Sequence, residues 1–158
     1  MFSQVLRFVR LPLLLITLYA IGRFSLGLIG VPYAPRGNAI FSVLGLAVIS
    51  SIYFGALSGR VGGFGWLGTL LVGFIIGEFA QILIFAATLI SYVAHLNTYY
   101  IHWDALNIPE GTTVPMARAL TIRAGGLAVG SLLPIIAALI GRLLGKLAPT
   151  PRGELGMR

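Results

Sequence analysis

The sequence predicts an all-α, polytopic membrane protein: four transmembrane helices in an up-down bundle, with both termini cytoplasmic. Three observations predict it. The 158 residues are 58% hydrophobic and only 9% charged, with a mean hydropathy of +0.97. A soluble domain carries about 25% charged residues, so a surface this poor in charge faces lipid. Next, the chain divides into four apolar runs of roughly the 20 residues that cross a bilayer. Finally, basic and aromatic residues gather at the ends of those runs, where headgroups lie.

The first element, "MFSQVLRFVRLPLLLITLYAIG", has the basic start and short apolar core of a signal peptide. No small-x-small cleavage site follows, so it is read as a retained first span over residues 11–30, with Arg23 inside it. Prolines in "VPYAPRGN" turn the chain, and Asn38 is placed to cap the second span, residues 39–59. The glycine-rich "RVGGFGW" leads to the third, residues 66–92, whose length reaches roughly 40 Å. Trp66 and Tyr92 then fall at the two interfaces. A polar connection over residues 93–118 holds both histidines and two of the four acids. The fourth span covers residues 119–144, with Arg123 near its start and Pro134 inside. Residues 1–146 thus form one four-helix domain, and residues 147–158 a flexible basic tail.

Orientation follows from the cations. Arg7, Arg10, Arg60, Arg142, Lys146, Arg152 and Arg158 lie towards one side, against Arg36, Arg118 and Arg123 on the other. The positive-inside rule puts the first group in the cytoplasm and the 93–118 connection outside. The expected location is the cell (cytoplasmic, or inner) membrane, multi-pass. The net charge of +7 suits anionic lipids at the basic C-terminal end better than nucleic acid, because no basic face interleaved with aromatics exists.

Glu78 is the most informative residue. A charge at the bilayer centre costs at least about 2.5 kcal/mol unless an opposite charge, a proton or water relieves it. Arg23 lies 13 residues beyond Arg10, and Glu78 lies 12 beyond Trp66. On parallel helices these depths match, so an Arg23–Glu78 ion pair between spans one and three is expected. The competing reading has Arg23 snorkelling to the headgroups and Glu78 protonated. Gln81 is one turn from Glu78 on the same face. Ser50, Ser51 and Ser131 fall at similar depth. Arg23, Ser50, Ser51, Glu78, Gln81 and Ser131 therefore form a candidate polar belt for an ion or small solute, or, more simply, a set of interhelical hydrogen bonds.

Glycine pairs four residues apart mark close helix contacts: Gly73 and Gly77 on span three, Gly126 and Gly130 on span four. The pattern leaves open whether the contact lies within one chain or between copies. His95, Tyr99 and His102 share a face if the helix continues past residue 92, but the histidines would be about 10.5 Å apart, too far to chelate one ion. His95, His102 and Asp104 are the nearest approach to a metal set, and no metal or other cofactor is expected. "NTYYIHWDALN" and "IPEG" read as a short interfacial helix and cap over the bundle's outer mouth.

No nucleophile elbow, phosphate-binding loop or H-E-x-x-H sequence occurs, and with no cysteine there is no thiolate chemistry. An enzyme is not expected. The expected function is a small oligomeric transporter or channel-like protein for an ion, proton or small polar solute, working through the polar belt. The alternative is a non-enzymatic accessory or assembly subunit, or scaffold, of a larger membrane complex. A third reading is a binder of a lipid-like molecule such as a quinone. The expected partners are the bilayer and further copies or a larger complex.

Overall fold

The computed structural model describes residues 1–32 and 42–147. The expected Asn38 cap and the tail beyond residue 147 lie outside the described residues. The elements are α1 (Phe2–Phe8), α2 (Arg10–Leu28), α3 (Val43–Arg60), α4 (Trp66–Val93), α5 (Met116–Val129) and α6 (Leu132–Leu147). Two single 3-10 turns, Tyr99–Ile101 and Asp104–Leu106, lie between α4 and α5. No strand occurs among the described residues. Four segments are long and apolar enough to cross a membrane: α2, α3, α4 and the combined α5–α6, Met116–Leu147.

The bundle runs up and down. Phe8 meets Phe54 and Phe64 edge-on at 5.4 and 5.3 Å, which gathers the N-terminal residues, the end of α3 and the start of α4 at one end. Arg142, on the last described helix, donates to the Phe64 carbonyl at that same end. The opposite end carries the 94–115 connection, and we refer to the two as the termini end and the connection end.

Local sequence explains the boundaries. Ser42, with extended backbone, caps α3 by accepting from the Gly45 N–H at 3.1 Å. Helix α4 stops just after Val93, because His95 takes a left-handed backbone, φ 53°. Pro115 precedes α5, where its missing N–H costs nothing. The expected single fourth span is two helices, broken at Gly130 and Ser131. Pro134 explains the break: its ring bars a helical bond to residue 130, whereas three residues into α6 its missing N–H would have no partner anyway.

Helix α4 is the hub, packed by every other helix. The tightest contact is α3 on α6, and glycine makes it possible. A Cβ on Gly55 would collide with the Ala138 carbonyl, and one on Gly141 with the Ile52 carbonyl. A Cβ on Gly145 would come within 2.6 Å of the Ala56 oxygen. The α4–α6 contact is as close: a Cβ on Gly73 would lie 2.6 Å from the Pro134 oxygen, and one on Gly77 2.9 Å from Ser131 Cα. Backbones that approach this closely gain dispersion contacts, the main source of helix association in lipid. Helix α2 is the least buried of the four spans and lies against α4 through Ile16 and Ala20.

Candidate functional site

The polar side chains fall into three groups. At the termini end, Arg142 binds the bundle together. Its Nη1 donates to the Phe64 carbonyl at 2.7 Å, the Gly65 carbonyl at 3.1 Å and Thr69 Oγ1 at 2.7 Å. Thr69 Oγ1 shares a 2.7 Å hydrogen bond with Ser58 Oγ, which donates to the Gly55 carbonyl. The Arg142 guanidinium also stands 4.9 Å from the Trp66 ring centroid. A single cation thus holds α3, α4 and α6 to the 61–65 turn. Sequence reasoning used Arg142 only for orientation. Its signal was position: one turn inside the end of a span, opposite Ser58 and Thr69 at the same depth.

Mid-span, the expected belt does not close on one point. Ser50 and Ser51 are buried in α3, and Ser51 Oγ has no hydrogen-bond partner among the described residues. Gln81 points inward from α4, its amide pressed against Gly126 and Gly130 of α5. Ser131 is buried beside Gly77. Gly73, Gly77, Gly126 and Gly130 therefore all serve contacts within one chain.

Glu78 is half-buried on a different face of α4. Leu67, Phe74 and Ile82 share its stripe, at 60%, 42% and 51% exposure, so the carboxylate sits in the middle of an outward apolar surface. No hydrogen bond or ion pair reaches it from the described residues. The expected Arg23–Glu78 pair does not form. The Arg23 guanidinium lies instead 6.0 Å from the Tyr99 ring and 5.7 Å from the Tyr100 ring, at the connection end. Counting residues places Cα atoms at equal depth, but a long side chain extends several ångströms further, and this one turns towards the rings that the connection inserts.

Those rings make the third group. Tyr100 is fully buried; its hydroxyl donates to the Ala20 carbonyl at 3.1 Å. Arg123 Nη2 donates to the Tyr100 carbonyl at 3.0 Å, and its Nε to Thr88 Oγ1 at 3.2 Å. Tyr99 donates to the Val31 carbonyl at 2.6 Å, and Thr98 hydrogen-bonds Ser91 at 2.6 Å. The connection is therefore packed into the bundle mouth, and two single 3-10 turns stand where a short interfacial helix was expected. Burial pushes the Tyr100 hydroxyl up to about 12, against a smaller opposing pull from Arg23 and Arg123. Arg23 and Arg123 line one cavity of about 110 Å³ together with Ser42, Val43, Leu44, Ile84, Tyr100 and Ala105.

The histidines do not share a face, because the helix has ended. His102 Nδ1 accepts from the Asp104 N–H at 3.3 Å, while His95 lies against Tyr92 and Leu96 around a separate cavity. Among the described residues no three His, Cys, Asp or Glu side chains gather. Burial lowers the affinity of His102 for its proton; Asp104 opposes that effect and Arg23 adds to it. An apolar cavity of about 260 Å³ lies between α2 and α4, lined by residues such as Ala20, Phe24, Leu83 and Ile90. None of the belt residues lines it.

Comparison of the chain with protein-family models, with curated proteins and with solved structures finds no match.

Proposed function

We propose that this chain is a non-enzymatic subunit of a larger membrane complex, docking through the outward stripe of α4. Glu78 carries the reading. It is a half-buried carboxylate at mid-span, flanked by exposed Phe74 and Ile82, with no partner among the described residues. In lipid such a group is costly, and a neighbouring helix that presents a basic or amide side chain at this depth relieves the cost. A second copy in symmetric contact would bring two carboxylates together, so a partner with a hydrogen-bond donor fits better. The close glycine packing of α3, α4 and α6 also argues against a conduit through the middle of one chain. On this reading the complex resides in the cell membrane with both chain termini in the cytoplasm, as the lysine and arginine distribution favours.

Native electrophoresis of mildly solubilised membranes tests it. Wild type should run above the monomer. Glu78→Leu should fall to monomer size with unchanged thermal stability, and Glu78→Gln, which keeps hydrogen-bonding capacity, should fall between. A monomeric wild type overturns the proposal.

A transport reading draws on the same residue. If the wild type forms a homo-oligomer, Glu78 lines the boundary between copies and can carry a proton or cation there. Flux into liposomes lost in Glu78→Gln, with the oligomer intact, would decide for it.

A further inference from the structure

We propose a binding site for a phosphate-type oxyanion in the cavity between Arg23 and Arg123. It is distinct from the Glu78 stripe and does not depend on the docking proposal.

The cavity collects positive potential from three elements. Arg23 comes from α2 and Arg123 from α5, and the first turn of α3 supplies Ser42, Val43 and Leu44. A helix start leaves up to four N–H groups without helical partners; Ser42 takes that of Gly45, and the dipole adds partial positive charge at the same place. Among the described residues no acidic side chain lines the cavity. Asp104 is next in sequence to the lining residue Ala105, but it sits beside His102. Two arginines that line one small cavity raise its positive potential together, and an anion bound there is attracted by both.

The site is also preorganised. Arg123 is fixed by Thr88 on α4 and by the Tyr100 carbonyl, and Tyr100 in turn is tied to Ala20 on α2. The Tyr100 ring is a wall of the cavity, and Arg23 packs near its face. Arginine presents paired N–H groups that match phosphate oxygens. The volume, about 110 Å³, is well below the roughly 300–1,000 Å³ of sites for drug-sized ligands, which suits a compact oxyanion. The cavity lies at the connection end of the bundle, the end from which the phosphate of an anionic lipid or free phosphate would approach.

The test uses the full chain in a nonionic detergent and in phosphatidylcholine nanodiscs. Inorganic phosphate, compared with chloride at equal ionic strength, is titrated against the melting temperature in detergent. In parallel, phosphatidylglycerol is added to the nanodiscs and retained lipid is counted by native mass spectrometry. Saturable stabilisation by phosphate identifies a free anion, and selective retention of phosphatidylglycerol identifies a headgroup. Either outcome supports the site if Arg23→Gln weakens the effect at least tenfold while Arg60→Gln, at the other end, leaves it unchanged. Leu44→Glu places a carboxylate at the cavity without removing an arginine, and should abolish binding even if Arg23→Gln folds poorly. No saturable effect of either probe, or an effect retained in Leu44→Glu, overturns the proposal.

Discussion

The two ends of the bundle use arginine in opposite ways. Arg142 at the termini end is surrounded by acceptors, two backbone carbonyls and the Thr69 hydroxyl, in a region where α3, α4 and α6 touch backbone to backbone. Arg23 and Arg123 at the connection end look into a cavity between helices packed less closely. The same side chain is a rivet in one place and part of a receptor in the other. Arg142 lines a cavity too, about 210 Å³ with Arg60 and Lys146, and Arg123 is held in turn by Thr88 Oγ1 and the Tyr100 carbonyl. The contrast therefore lies in where the side chains converge: Arg142 ties three helices at one point, whereas Arg23 and Arg123 come from two helices onto one small cavity.

The strongest way to break the contrast is to crowd the glycine core. Gly141→Leu drives a side chain into the Ile52 carbonyl, with a cost of about 3 kcal/mol or more and loss of the monodisperse peak in size-exclusion chromatography. The same change at Gly125, around which there is open space, should be tolerated. Next in size is Arg142→Gln. It removes charge-assisted hydrogen bonds to Phe64, Gly65 and Thr69 and should destabilise by about 2 kcal/mol in detergent melts.

At the other end the effects on stability shrink. Tyr100→Phe loses one hydrogen bond to Ala20, about 1 kcal/mol. Tyr100 also gives a pH signature. Its hydroxyl ionises near 10.0 in the unfolded chain and at about 12 when folded, so between those values the folded state holds a proton that the unfolded state has lost. Stability therefore falls as pH rises from about 10 to about 12, and Tyr100→Phe should flatten that part of the curve. The smallest effect is expected for Arg23→Gln, whose cation–π contacts with Tyr99 and Tyr100 are worth about 0.5 kcal/mol each. A melt lowered as far as that of Arg142→Gln would erase the distinction between the two ends.

The helices were legible in the sequence because apolar runs of this length, in apolar surroundings, have few alternatives to bonding their own backbone. Bounds for the third span, 66–92, agree with Trp66–Val93 to one residue, since glycine precedes Trp66 and polar chain follows. The break at Gly130 and Ser131 was missed, although Pro134 was in view, because hydropathy runs through it undisturbed. Gly73 and Gly77 were read as contact residues, but spacing alone does not say which helix they meet. Arg23 was assigned by residue count to the depth of Glu78. That count is blind to side-chain direction, and to a connection that folds back to bring Tyr99 and Tyr100 alongside. The Arg23–Arg123 cavity joins residues 100 positions apart, and nothing local in the sequence marks it.

The place of α6 in the core bears on how the protein is made. α6 follows α3 and α4 in the chain, yet it supplies the surface against which Gly55, Gly73 and Gly77 close. Until residues 131–147 have left the ribosome, the glycine faces of α3 and α4 lack the surface they close on. The newborn molecule therefore passes through a stage in which its most closely packing surfaces are open to other partners. Factors that shield small-residue faces should matter most in that interval.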